Sequence, residues 1–471
     1  MPGIAAWEDD PVAAPLEDQP RNNRRIFPSV PVLNQGVLPV DIDPKVQRPQ
    51  PEIHEVDTRE FRYWALAEAL SRAAGYWSAR VPAGTTWHPG NGNTLIAYPD
   101  DGEDLNAYYD RNGLHFFHGA VRGRTVYSGE SPDVVCHELG HAVLDAVKPE
   151  LFDTASIEVA AFHEAFADCS AILSDLQLPS LRQAVLDETN GRIATASRLS
   201  QLAENLGWAI RQLAPDSVDP DCLRSAVNSF YYQAPASLPP RAPATSISSE
   251  PHSFARVFTA GFLRTLDHMF HLQPQQDADG LLRAAEDAGT LLIEGVRGAP
   301  VVPGFYAQVA AHMIAVDASR FGGKYRDAIR AGFTGTGVLS VRSAAALGSV
   351  ERLNAATPAE PDGHQEPARV RLPSTSFGLP KDLWVQTASQ ARRHSVASGL
   401  ADVGDAPTPV PDEAAASFVE DLVRRGRIAV EAAQRGDAPI TAAASTTHRI
   451  EATDGALTLR RERFDRSYTL N

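Results

Sequence analysis

One stretch, Ser131-Pro-Asp-Val-Val-Cys-His-Glu-Leu-Gly-His-Ala-Val-Leu-Asp145, limits what this chain can become more than any other. It opens as helices do, with serine at the cap, proline at the first helical position and aspartate in the first turn. On such a helix His137 and His141 project from one face, about 40° apart around the axis at 3.6 residues per turn. Two imidazoles so placed can reach one cation, and zinc is the usual occupant. Glu138, one position past the first histidine, can reach a water on that cation without ligating the metal. One helix therefore offers two ligands and a general base. A core helix that carries two histidines by chance would read the same way, so a third ligand has to come from elsewhere.

A catalytic zinc takes three protein ligands and keeps one position open. Residues 156–176 read as a second helix, and its segment His163-Glu-Ala-Phe-Ala-Asp168 places Glu164 and Asp168 four apart on one face. Around them Val159, Ala160, Phe162, Phe166 and Ile172 are apolar. Two carboxylates in so apolar a helix are costly unless each meets a cation or a donor. Zinc would answer for Glu164. The free ring N–H of a ligating histidine would answer for Asp168, a contact that fixes the tautomer. The competing arrangement pairs both acids with buried arginines, of which the neighbouring helices offer few.

The chain has 471 residues, enough for two or three domains, and 43% hydrophobic residues, as in soluble globular proteins. A formal net charge of -16 argues against nucleic-acid binding and against anionic membranes, both of which call for a positive surface. Cys136, Cys169 and Cys222 are too few for a disulfide framework. Cys136 and Cys169 are expected as small core residues beside the site. The first thirty residues lack the apolar core of a signal peptide, and no run is long enough to span a membrane. A cytoplasmic location is the expectation.

Residues 1–50 read as a flexible leader, rich in proline, aspartate and arginine. Helical periodicity covers 57–81, and extended segments follow at Thr94–Tyr98, Leu105–Tyr109 and Leu114–Phe117. This gives a mixed N-terminal lobe over 51–150. Further helices are expected at 195–213, 252–272, 280–295, 304–320 and 323–332, making 151–355 a helical lobe. Residues 356–412 read as a Pro-rich linker, and 413–471 as a small α+β appendage with a helix at Ala414–Arg427. The arginines at 424–427 and 460–463 are expected on solvated faces.

His137-Glu-Leu-Gly-His141 followed by Glu164-Ala-Phe-Ala-Asp168 resembles the thermolysin-type metallopeptidases of the gluzincin group. Asn106-Ala-Tyr-Tyr-Asp110 resembles that family's edge strand, along which an extended peptide substrate lies. Glu250-Pro-His-Ser-Phe-Ala-Arg-Val-Phe258 resembles the segment carrying its transition-state histidine, which falls on His252. The likeness covers roughly residues 100–340. It implies a two-lobed α+β fold, one zinc on His137, His141 and Glu164, and hydrolysis of peptide bonds. It also implies Glu138 as general base, His252 as oxyanion donor, and a substrate held by Asn106, Ala107 and Tyr109. Arg198 is a further candidate for a substrate carbonyl, and Asp168 and His163 would support the ligating histidines.

Departures accompany the likeness. No tyrosine occurs between His141 and Glu164 to assist the oxyanion. Of the acidic cluster that binds calcium in secreted relatives only Asp133 and Asp175 remain as remnants, which leaves calcium doubtful. The family's secretion signal and propeptide have no counterpart, so the leader or the linker folding over the cleft is the expected restraint. Two other readings stay open: a zinc-stabilised binding module without activity, and a zinc hydrolase of small amides or esters.

Overall fold

The computed structural model describes residues 3–11, 23–341, 368–387, 410–430, 446–453 and 455–465. Its helices are α1 (Arg59–Ser78), α2 (Pro132–Val147), α3 (Ile157–Asp175), α4 (Pro179–Thr189), α5 (Glu204–Leu213), α6 (Pro251–His271), α7 (Ala278–Gly298), α8 (Phe305–Arg320), α9 (Arg326–Gly335) and α10 (Pro411–Arg424). The strands begin with β1 (Ile4–Trp7), β2 (Arg24–Phe27), β3 (Val40–Ile42), β4 (Leu95–Tyr98), β5 (Ala107–Tyr109), β6 (Leu114–Phe116), β7 (His118–Val121) and β8 (Arg124–Tyr127). They continue with β9 (Gln201–Leu202), β10 (Arg224–Ser225), β11 (Ala368–Leu372), β12 (Leu383–Thr387), β13 (Ile428–Val430), β14 (His448–Thr453), β15 (Ala456–Arg461) and β16 (Phe464–Asp465). The architecture is mixed α+β. No helix among the described residues is long and apolar enough to cross a membrane.

α2 and α3 form the centre. Residues Pro132 to Asp145 of the first and Ile157 to Asp175 of the second are all buried, as helices apolar on every side must be. Ser131 and Ser156 cap them, accepting from the Val134 and Val159 amides at 3.1 and 3.4 Å. The two axes come close at Gly140, where an added Cβ would lie 2.8 Å from Ser170 Cβ and 2.9 Å from Ala167 Cα. Ser170 Oγ donates to the Cys136 carbonyl and accepts from Trp77 Nε1, both at 2.8 Å, which ties α1 to the pair.

One five-stranded sheet runs in the order β16-β5-β6-β4-β3. β3, β4 and β6 are parallel neighbours, whereas β5 runs antiparallel to β6 and β16 antiparallel to β5. A second runs in the order β11-β12-β15-β14-β13. On β15 buried Leu457 and Leu459 alternate with Thr458 and Arg460, the period of a strand with one covered face. That face packs with Phe418, Val419 and Leu422 of α10 and with Ala155, Ile157 and Ala160 at the start of α3. The second sheet therefore sits on the helix that carries Glu164.

Several expectations need correction. Residues 3–11 and 23–50, read as a flexible leader, are part of the fold: Ile4, Ala5 and Ala6 are buried, and β1 pairs with β2. Asp10 accepts from the Ser131 hydroxyl and from the Asn205 amide, so the leader holds the start of α2. Within the expected linker, 368–387 forms β11 and β12, while 356–367 and 388–409 lie outside the described residues. The helix expected over 195–213 begins only at Glu204, after a 3-10 turn and β9, and α4 gave too weak a pattern to be expected at all. Arg425 and Arg427 are not solvated: they are buried and paired with Asp421 and Asp465 at 2.6 and 3.3 Å.

At the start of α3, Glu158 accepts from the Tyr306 amide at 2.7 Å and the Tyr232 hydroxyl at 2.9 Å, and burial pushes its pKa up to about 7. Its unfolded value is near 4.5, so between these values the native chain holds a proton that the unfolded chain has lost. Its stabilising contribution is complete below the lower value and is lost as pH rises through the upper one. Glu158→Gln should therefore be more stable than wild type at pH 8, by roughly 1–2 kcal/mol. The difference should shrink toward pH 5, as read by paired thermal unfolding curves.

Candidate metal centre

The two central helices converge on one point. Glu164 Oε2 lies 3.3 Å from His137 Nε2 and 3.6 Å from His141 Nε2. Donor atoms of the three residues fall within 4.8 Å of one another, and the three are 0–2% exposed. Among the described residues this is the group of histidine, cysteine and carboxylate side chains gathered closely enough to hold a metal ion.

The surrounding contacts fix what these atoms present. Asp168 Oδ1 lies 3.0 Å from His137 Nδ1 and accepts from Arg224 Nη2 at 2.7 Å. Burial alone would favour the neutral acid, but the Arg224 guanidinium and the His137 contact outweigh it and hold Asp168 well below the usual carboxylate range. An ionised Asp168 takes its proton donor from Nδ1, so His137 turns the lone pair of Nε2 toward Glu164. A lone pair facing a carboxylate oxygen at 3.3 Å, out of water, is stable with a cation between them. The chemistry of the donor set thus fits a divalent metal. His141 Nδ1 lies 3.0 Å from His163 Nδ1, and burial together with the His141 charge drives His163 well below its usual pKa, so that ring stays neutral.

His252 reaches the same carboxylate from α6. Its Nε2 lies 3.2 Å from Glu164 Oε2, and its Nδ1 lies 2.7 Å from Glu250 Oε1. Glu250 also caps α6 by accepting from the Ser253 amide at 2.9 Å, so one residue both starts the helix and aims the ring. Burial opposes a charge on His252, but Glu164 and Glu250 outweigh it and raise its pKa. Glu138 is fully buried on α2 beside His137.

Protein-family models and curated proteins give no match to this chain. Its chemistry has to be read from its own residues.

Two expected substrate contacts change character. Tyr109 is fully buried: its hydroxyl donates to Asp145 at 2.8 Å and accepts from Asn91 at 2.9 Å, which makes its ring part of the core. The Arg198 guanidinium is bound to Glu188 at 2.7 Å and Asp9 at 3.4 Å, anchoring residue 9 of the supposed leader. Asn106 is buried and accepts from the Ala107 amide at 2.9 Å, and Ala107 is buried on β5. Asp133 accepts from the Ala203 amide at 2.8 Å, and Asp175 pairs with Arg72 at 2.8 Å.

Sequence reasoning missed Arg224 and Phe464. β10 is two residues long, too short to leave a periodic signal around Arg224. Phe464 sits between Arg463 and Asp465 with no apolar neighbour to mark it, yet its ring stacks on His163 at 3.9 Å and on His141 at 4.9 Å. The arginine for Asp168, set aside on sequence grounds, is present together with the histidine contact.

Two substitutions test this construction. Gly140→Ala should force α2 and α3 apart and cost about 1–3 kcal/mol in urea unfolding of the metal-free chain. Asp168→Asn should weaken metal binding by roughly 10–100-fold in a chelator competition titration.

Proposed function

We propose that the chain is a zinc-dependent metallopeptidase of thermolysin-like type, in which a mixed lobe and a helical lobe meet at the metal site. The observation that carries this reading is the convergence of His137 and His141 from α2 with Glu164 from α3. When bound, zinc supplies Lewis acidity that polarises a scissile carbonyl and acidifies water. Glu138 takes a proton from the attacking water and passes it to the leaving amine. His252 donates to the oxyanion as it develops, a role that the missing tyrosine between His141 and Glu164 leaves largely to it. Asp168 and His163 keep the two imidazoles oriented. Asn106 and the backbone of Ala107 hold an extended peptide along β5, on the side where β16 pairs in this fold, as peptides add to sheet edges.

A second reading, a structural metal without catalysis, draws support from the near-complete burial of the ligands. Structural zinc sites close their fourth position with protein, and His252 stands 3.2 Å from Glu164.

Zinc content and cleavage of a denatured protein substrate separate the two. They are measured for wild type, Glu138→Gln and Phe464→Ala, the last because Phe464 stacks on the ligand His141 and on its neighbour His163. The peptidase reading expects about one zinc per chain in all three. It also expects Glu138→Gln to cleave roughly 10²–10⁴-fold more slowly than the others. Zinc without cleavage in any of them establishes the structural metal.

A further inference from the structure

Edge strands expose a row of unpaired backbone groups, and an extended peptide is the usual ligand for such a row. On β5, Ala107–Tyr109, two of the three positions in that row are already taken. β6 pairs along one side of the strand, and on the other side Phe464 stands opposite Tyr109 and Asp465 opposite Tyr108.

Two ladder positions are a weak hold by themselves, and side chains supply the rest. Phe464 is 2% exposed, its ring lies on His141 and His163 on one side, and the Arg461 guanidinium lies 4.1 Å from the ring centroid. Asp465 is buried and bound by Arg427 at 3.3 Å and Arg463 at 3.4 Å. The space left beside Glu164 and His252 is walled by Arg427, His448, Arg461 and Phe464 and holds about 20 Å³. That is too small for a substrate; a larger space of about 130 Å³ adjoins His252, walled by Arg224, Glu250 and Arg427, but does not reach Glu164.

We infer that β16 is a resident peptide ligand. It occupies the peptide-binding edge of the metal site and keeps the site closed, and the peptides able to displace it carry an aromatic residue where Phe464 now lies. The aromatic preference follows from the two faces offered to that ring, a pair of imidazoles and a guanidinium. The restraint expected from the leader or the linker belongs to this strand, with the sheet and α10 behind it. The inference deepens the peptidase reading and depends on its peptide-binding part only, not on cleavage.

Binding tests it without turnover. All proteins are full chains carrying Glu138→Gln and loaded with zinc. The probe is a fluorescein-labelled synthetic peptide with the sequence of residues 460–468, and the control peptide carries Phe464→Ala. Chains that also carry Phe464→Ala should bind the probe at least tenfold more tightly than chains with the intact strand. They should bind the control peptide at least tenfold more weakly than the probe, and should lose zinc to a chelator at least tenfold faster. Should Phe464→Ala fail to fold, Asp465→Ala, which leaves the aromatic anchor in place, should shift probe binding the same way by about threefold. Equal probe binding with and without the substitution in folded chains overturns the inference, as does equal binding of probe and control. If these binding shifts appear while chains that keep Glu138, with and without Phe464→Ala, cleave no substrate, the peptidase reading fails and the inference stands.

Discussion

Everything in this structure depends on one electrostatic conflict placed where water cannot relieve it. α2 and α3 press a carboxylate oxygen against the lone-pair side of an imidazole, 3.3 Å away, among residues exposed by no more than a few per cent. A divalent cation resolves the conflict. A protonated His252, 3.2 Å from the same oxygen, relieves part of it, and Asp168, whose ionised state orients His137, is undisturbed by either. The close approach that creates it comes from a residue with no side chain: at Gly140 the helices meet with no space for even one methyl group. The ion site is thus a property of helix packing as much as of ligand identity.

What surrounds the pair can be read as support for that packing. Asp10 takes hydrogen bonds from the cap of α2 and from the Asn205 amide at the start of α5. Ser170 ties α2 to α3 and to α1 through Trp77. Glu158 of α3 receives the Tyr306 amide hydrogen at the start of α8, and Glu250 receives that of Ser253 in the helix it caps, α6. Carboxylates and hydroxyls at helix ends do the positioning, and apolar contact does the holding.

How far this was legible in the sequence differs by region, for physical reasons. The central helices were legible because their caps, their unbroken apolar faces and the spacing of four all point one way. α1 and α6 to α9 were legible for the same reason, to within a few residues at their ends. The N-terminal segment was misread because strands of four residues rich in Ala and Arg carry no periodic signature, although Ile4 to Ala6 end up buried. β11 and β12 were misread because their apolar residues lie among Pro, Ser and Gly, which point to a linker. Arg427 and Phe464 were out of reach, since Arg427 pairs with Asp465 on a separate strand 38 residues on and Phe464 with elements hundreds of residues away, which no local pattern encodes.

That distance has a consequence for how the molecule comes into being. Arg461 donates to the carbonyl of Phe152 across 309 positions, and β16 joins a sheet whose other strands lie in the first quarter of the chain. Such pairings carry a large loop-closure cost and form late. On the ribosome, at about 5–20 residues per second, α2 and α3 emerge well before β16. For that interval His141, His163 and the outer edge of β5 lack the ring and the strand that cover them in the folded chain.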